Sequence, residues 1–587
     1  MLLYQLSLMG VPGFFAWLLK NYKKSEIITD SIDKETDIFY IDANCLFHPQ
    51  CYKIVDYYGD SLDIDKLEGK MIERILNYIS YIIGLVNPKK EVFIAVDGVA
   101  PMGKINQQRK RRYKSVLENK IKNEIKLKYN KNVNQSWSNV VITPGTQFME
   151  KLHKEIVRYL NKNILGLKIK YTYSSYRTPG EGEHKILQDI KKKGLTKDIY
   201  TIYGLDADLI FLSLASQKEN IFLLREEGFL RESLEEPEEI IDIIKDVYEK
   251  LNFVSIDEMR KSINDQIYSI VASRNVHLSE LEYDFSNDFI FICFLLGNDF
   301  VPNPPSLDIK NRGLELVLNC YVDTFLFLGE YIVTIDYKGV VNINNIFVDL
   351  LFENLSKFEE NYFKNIYPQY LEYIGRRKCF HTDDYNQEIW KYDNLKNIQV
   401  HNPIQLGVDN HQTWKFRYYE YHYRTTRSQQ NFIFNMCDNF LQGLFWTLKY
   451  YFEKCPSWEW QYRYHHAPFI SDLAFYFNKF KYDFNIIAFP ESYPITPFIQ
   501  LLCVIPPSYK YILPSNYQKY MSSSFSPIID LFPTNIKIDM LYKDSLHKCV
   551  PIIPNANICR IHDAIKKEKL NNEDLERNKE IENIVII

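Results

Sequence analysis

The sequence predicts an α/β fold built around a parallel sheet, and three observations predict it. Short β-rich runs occur at 38–41 (IFYI), 92–96 (VFIAV) and 200–203 (YTIY), each followed at once by Asp or Gly. Stretches such as 67–86 and 148–162 space their apolar residues three and four apart, as an amphipathic helix does. Strand therefore alternates with helix along the first half, the order that builds a parallel sheet. Sites in such sheets form just beyond the C-terminal ends of the strands, where Asp42 and Asp97 fall. Further on, residues 302–398 read as mostly helical and 414–489 as strongly aromatic. Gly and Pro cluster at 506–514 and 522–533, which read as surface loops, and the charged stretch after Ala564 reads as a helix or frayed end.

A chain of 587 residues is long enough for about four domains. The 44 tyrosines and 37 phenylalanines exceed what a core absorbs easily, so some rings are expected at the surface, to stack on bases or to pack. Ten cysteines are scattered singly without a CxxC pair, which argues for free thiols in a reducing compartment and against a structural zinc site. The apolar run 289–297 is too short to span a bilayer, and the opening MLLYQLSL lacks a basic region and a cleavage site. A soluble, intracellular protein without a membrane partner is expected. The net charge of −4 does not suggest a nucleic-acid binder, yet residues 104–128 hold ten Lys/Arg against Glu118 and Glu124, whereas 226–246 is acidic.

Seven carboxylates stand in turn-like or strand-end contexts: Asp42, Asp97, Glu181, Glu183, Asp206, Asp208 and Asp299. A single Asp after a strand is ordinarily a turn former or helix N-cap. The pairs GEGE and DAD beside Gly ask for more, because several anions at the mouth of an apolar sheet need compensation, usually by a divalent metal. Hard oxygen ligands without a His/Cys cluster favour Mg²⁺, with Mn²⁺ the alternative, over zinc. Two such ions ~3.5–4 Å apart activate water and stabilise the leaving 3′-oxygen of a phosphodiester.

Directly after Asp97, KINQQRKRRYK at 104–114 places Lys104, Gln108, Arg111 and Arg112 at i, i+4, i+7 and i+8, on one helical face. Two Arg forks, a Lys and an amide converging beside carboxylates make a receptor for a terminal phosphate. A solvated charged face and a nuclear-import signal in RKRR are the other readings of the same residues.

With these residues assembled, the sequence resembles the XRN family of 5′→3′ exoribonucleases over nearly its whole length. The resemblance is carried by MGVPGFF (9–15), IDANCLFH (41–48), VDGVAPMGKINQQRKRR (96–112), ITPGTQFM (142–149), TPGEGEHKI (178–186), YGLDADLI (203–210), LLRE (223–226) and LLGNDFVP (295–302). It continues in a long segment at 443–473 and in SPIIDLFPTNIKIDM at 526–540. The resemblance implies a Rossmann-like nuclease core of the PIN/flap-endonuclease type at 9–310. A helical, aromatic-rich segment at 311–564 would complete the active site, and a charged tail would follow at 565–587. It implies that the seven carboxylates hold two Mg²⁺ ions and that Lys104, Gln108, Arg111 and Arg112 bind the 5′-monophosphate of single-stranded RNA. It also implies that His48 and a tryptophan, Trp458 or Trp460, stack on the leading bases. A monomer is expected, and no protein partner is indicated. Eight residues precede Met9, and neither the long C-terminal domains nor the zinc knuckle of family members is recognisable, which leaves cytoplasm versus nucleus open. Two other functions stay in view: a 5′ DNA exonuclease or flap endonuclease, and an inactive protein that binds RNA 5′ ends.

Overall fold

The computed structural model describes residues 11, 13–133, 137–163, 169–194, 197–226, 242–278, 283–398, 400–426 and 429–586. Met9 with the residues before it, and most of the acidic run at 226–246, lie outside the described residues.

The first half builds the predicted sheet. Its strands are β1 (Ile28–Thr29), β2 (Ile38–Asp42), β3 (Glu91–Ala95), β4 (Lys170–Ser174), β5 (Tyr200–Tyr203), β6 (Ile221–Glu226) and β7 (Leu251–Ser255). They lie in the order β1-β7-β6-β5-β2-β3-β4, with β12 (Ile584–Ile586) beyond β4. The five from β6 to β4 are mutually parallel, and antiparallel strands close both sides. Every residue of β2 and β3 is buried, as expected of parallel strands covered on both faces. Alternation divides them between two cores: Ile38, Tyr40 and Phe93 face one, while Phe39, Ile41, Val92 and Ile94 face the other.

The helices that shape the site are α1 (Ala43–Tyr58), α2 (Met102–Lys128), α3 (Gly182–Lys192), α4 (Asp208–Ala215), α5 (Ser286–Leu295), α6 (His411–Tyr423) and α7 (Gln430–Phe452). From α5 onward the chain is mainly helical and as far as Phe484 packs on the first of these cores, while Phe498 to Ile565 form a further core with Ala100, Met102 and Ile105, so the aromatic segment closes the sheet instead of standing apart. Two hairpins interrupt it, β8 (Val333–Ile335) with β9 (Val341–Ile343), and β10 (Lys537–Asp539) with β11 (Val550–Ile552). Among the described residues no helix is long and apolar enough to cross a membrane, and all ten cysteines are free thiols.

The charged end at 565–587 holds a helix, one of the two readings made of it, and adds a strand. It forms the helix Asn572–Arg577 and then β12, which pairs with β4 through Ile584, Val585 and Ile586. Arg577 also donates to the Gly145 carbonyl at 2.7 Å. Charge density hid a short apolar run that needs only an open sheet edge to become a strand.

Helix α2 is the seam between the early and late parts of the chain. Arg109, 1% exposed, donates to the carbonyls of Cys503 at 2.6 Å, Pro554 at 3.0 Å and Leu531. The rings of Tyr113 and Phe532 flank its guanidinium at 4.7 and 5.9 Å. Arg109→Ala would leave three shielded carbonyls unpaired and is expected to cost at least ~3 kcal/mol of stability. Urea unfolding checks this, with Arg109→Lys recovering only part of the loss.

Candidate active site

Parallel register gathers the carboxylates. Asp42 ends β2 opposite Ala95 of β3, and Asp97 lies two residues past Ala95. Asp206 follows β5, the other neighbour of β2, and Asp208 opens α4. Glu181 is the N-cap of α3 and Glu183 lies in its first turn, where the helix end favours negative charge. Asp299 enters from the loop after α5 and accepts from Gln107 Nε2 at 3.4 Å. The seven expected carboxylates are therefore brought to one mouth of the sheet.

Close approach there depends on Gly182. Its N–H donates to Asp97 Oδ1 at 2.7 Å, and a Cβ at this position would stand 2.7 Å from Asp42 Oδ1 and 3.3 Å from the Ala95 carbonyl. Asn44 accepts the Asp97 N–H at 3.1 Å, and Cys45 Sγ donates to Asp42 Oδ2 at 3.0 Å. Lys185, buried beneath, donates to the carbonyls of Val96 at 2.7 Å and Ser175 at 2.9 Å, which fixes the chain on either side of the site.

Burial and mutual repulsion set the electrostatics. Burial, then Asp97 and Asp206, push the Asp42 carboxyl well above the usual range. Burial likewise raises Glu183 and Asp208, and lifts Asp206 to about 6 despite the opposing pull of Lys104. Lys104 is the internal cation, 2.6 Å from Glu181 Oε1, 2.8 Å from Asp299 Oδ2 and 4.0 Å from Glu183 Oε1. Burial acts to lower its pKa, but Asp299, Glu181 and Glu183 outweigh that and hold it well above the ordinary value. One ammonium does not balance the cluster. Asp42 Oδ1, Glu183 Oε2, Asp206 Oδ1 and Asp208 Oδ1 are solvent-shielded and receive no hydrogen bond. Hard, unpartnered oxygens in such number suit Mg²⁺ or Mn²⁺.

The basic face divides in two. Lys104 turns into the carboxylates, whereas Gln108, Arg111 and Arg112 lie further along α2, with both arginines near His48 of α1. Burial first, then the charges of Arg111 and Arg112, lower the His48 pKa to about 3, so its imidazole is neutral beside the two guanidinium groups. Burial and Arg111 bring Arg112 down to about 9. Arg112 Nη2 donates to Thr143 Oγ1 at 2.7 Å, while its shielded Nη1 has no acceptor.

The two tryptophans differ. Trp460 stacks on Trp446 with centroids 5.3 Å apart, and a Cβ on Gly443 would meet its ring edge at 2.8 Å. Trp458 is half-buried without a ring packed on it among the described residues, and its carbonyl accepts from Met102 N–H at 2.9 Å, at the start of α2. Both are half-buried, but only Trp460 packs its ring against the core.

Sequence reasoning missed the residues that orient this cluster from the late segment. Tyr450 of α7 stacks on His184 at 4.0 Å and donates to Glu181 Oε2 at 2.8 Å, and Tyr451 hydrogen-bonds Asp208. Arg225 of β6 reaches the Leu205 carbonyl behind Asp206. The tandem KYYF at 449–452 was the visible signal for the tyrosines, but nothing in spacing alone ties it to GEGE. Gly182→Ala is expected to weaken Mn²⁺ binding roughly tenfold, about 1.4 kcal/mol, by displacing Asp42. Calorimetric titration with Mn²⁺ on the folded variant measures it.

Comparison with known proteins follows the same division of the chain. The family described as XRN 5′-3′ exonuclease N-terminus matches residues 9–227, and the one described as Xrn1 helical domain matches 282–374 and 381–587. The human protein named 5′-3′ exoribonuclease 1 is 30% identical over 98% of this chain and 35% of its own length. Its namesake in Schizosaccharomyces pombe is 27% identical over 97% of this chain and 49% of its own. The 5′-3′ exoribonuclease 2 homolog of Drosophila melanogaster is 27% identical over 99% of this chain and 73% of its own. The chain thus spans between a third and a half of the first two relatives. With both parts of the fold matched in order, the chain belongs to the XRN family of 5′→3′ exonucleases.

Proposed function

We propose that the chain is a 5′→3′ exoribonuclease that degrades single-stranded RNA processively from a 5′-monophosphate and releases nucleoside 5′-monophosphates. The carrying observation is that one helix, α2, serves both halves of the site. Lys104 lies among the carboxylates, and Arg111 stands seven residues further on, ~10 Å along the axis. One nucleotide with the side chains at either end can span that distance. A terminal phosphate held at Arg111, Arg112 and Gln108 therefore sets the first phosphodiester before the carboxylates. The unpaired Arg112 Nη1 and the neutral His48 beside two like charges favour an anionic occupant.

Asp42, Asp97, Glu181, Glu183, Asp206, Asp208 and Asp299 would hold two Mg²⁺ ions. When bound, the ions supply an activated water and charge stabilisation for the departing 3′-oxygen. Lys104, ion-paired with Glu181 and Asp299, orients two of these carboxylates and partly neutralises the mouth that the scissile phosphate enters. Trp458, on the segment bonded to the start of α2, with His48 supplies stacking surfaces that accept any base. A pocket for one phosphate excludes a cap and asks for an unpaired end.

Degradation of 3′-labelled RNA bearing 5′-monophosphate, 5′-hydroxyl or capped ends, with Mg²⁺ and with EDTA, tests the reading. Rapid Mg²⁺-dependent loss of the monophosphate substrate alone is expected. Equal loss of all three indicates an endonuclease, faster loss of matched 5′-phosphorylated DNA a DNA exonuclease, and binding without loss an end-binding protein. Asp208→Ala should abolish cleavage while leaving RNA binding largely intact. Arg111→Ala should lower the preference for 5′-phosphate over 5′-hydroxyl about tenfold, as loss of a charged hydrogen bond of ~1.5 kcal/mol implies. Trp458→Ala should weaken RNA binding by ~1–3 kcal/mol with little change in stability. Trp460→Ala should instead destabilise the fold by ~3–5 kcal/mol in thermal or urea unfolding.

A further inference from the structure

Away from the carboxylate mouth, three side chains from separate stretches of the late segment converge. His422 closes α6, His466 lies in the connection after α7, and Asp539 ends β10. Asp539 Oδ2 stands 3.0 Å from His466 Nε2 and 3.4 Å from His422 Nδ1, and the three atoms lie within 4.8 Å of one another. The donors of a tetrahedral ion with bonds of ~2.0–2.1 Å sit ~3.3–3.4 Å apart. The observed spacings bracket that value.

A second observation points to an occupant. His466 is 8% and Asp539 9% exposed, yet His466 Nε2 and Asp539 Oδ2 are both shielded atoms without a hydrogen bond. The two atoms stand 3.0 Å apart as an imidazole–carboxylate pair, and His422 Nδ1 lies 3.4 Å from the same carboxylate oxygen. The remaining polar atoms hold them in place. Asp539 Oδ1 accepts from Leu541 N–H at 3.1 Å. The hydroxyls of Tyr423 and Tyr462 donate to the His466 carbonyl at 3.0 and 2.9 Å. The His422 and His466 rings lie 4.0 Å apart, edged by Tyr418.

We propose that His422, His466 and Asp539 form a binding site for a zinc-class transition-metal ion, separate from the Mg²⁺ carboxylates, with water as the fourth ligand. Two imidazole nitrogens and one carboxylate suit Zn²⁺ and Co²⁺ and do not suit Mg²⁺. The side chains of Lys543 and Lys110 face the same cluster. The ion ties together α6, the connection after α7 and the β10 hairpin, three stretches far apart in the chain.

The test is a Co²⁺ titration of chelator-stripped protein in excess Mg²⁺, which occupies the oxygen site, read by the visible absorption of tetrahedral cobalt. A Cys45→Ser background removes the thiol near Asp42 and Asp206. One equivalent should bind, be displaced by Zn²⁺ and raise the melting temperature. His466→Gln and Asp539→Asn should each weaken binding at least ~100-fold, while Asp208→Ala leaves it unchanged. Absence of the cobalt spectrum, or its persistence in both ligand variants, overturns the proposal. Should either variant fail to fold, the stoichiometry and spectrum of the Cys45→Ser protein decide alone.

Discussion

The repulsion among carboxylates at the end of the parallel sheet is the constraint around which the molecule is built. Adjacent strands β3, β2 and β5 end together, so their terminal acids cannot avoid one another. Placing such groups out of water raises their energy unless other charge or hydrogen bonds compensate. Within the protein, compensation is partial and local. The Lys104 ammonium reaches Glu181 and Asp299, the start of α3 faces Asp97, and Tyr450 supports Glu181 from the opposite wall. Four oxygens still lack donors. A scaffold that holds anions this rigidly with incomplete compensation is preorganised for divalent cations, at the expense of its own stability.

That requirement explains why the late half of the chain cannot be a separate attachment. Tyr450 and Tyr451 belong to α7, and Arg109 of α2 is clasped by carbonyls of Cys503, Leu531 and Pro554. The last strand completes the far edge of the sheet beyond β4. The helix carrying the basic face is thus clamped by residues about four hundred positions later. Precision at the mouth comes from contacts that close only when the whole chain has folded. An arginine bonded to three main-chain carbonyls is well suited to such a clamp, because its planar donors fix direction as well as distance.

Much of this was legible in the amino-acid order. The runs IFYI, VFIAV and YTIY became strands, the Asp and Glu pairs beside Gly met at one site, and the i, i+4, i+7, i+8 spacing described a real helical face. What stayed hidden depends on long-range packing. Spacing could not show that Lys104 would turn inward while Arg111 and Arg112 remained outside, because that follows from which elements flank each turn of α2. Trp458 and Trp460 are two residues apart, chemically alike and both half-buried, and only Trp446 and Gly443 beside Trp460 give it a packed ring. Strand β12 was obscured because its apolar trio follows a highly charged stretch. The His422, His466 and Asp539 cluster is drawn from a span of more than a hundred residues, beyond the reach of any local motif.

The distribution of charge along α2 joins these parts into one physical account. A lysine at its start is surrounded by anions, and two arginines stand next to each other two turns later. A polyanionic chain laid along this helix meets positive charge first at its terminal phosphate. It then meets a strongly negative mouth that accepts a second phosphate only when dications intervene. In the proposed function, a terminal phosphate would relieve the repulsion between Arg111 and Arg112, and cations in the mouth would relieve that among the carboxylates. Each half of the site therefore lacks charge that substrate or ions can supply, and the rigid helix between them converts two electrostatic deficits into one fixed spacing.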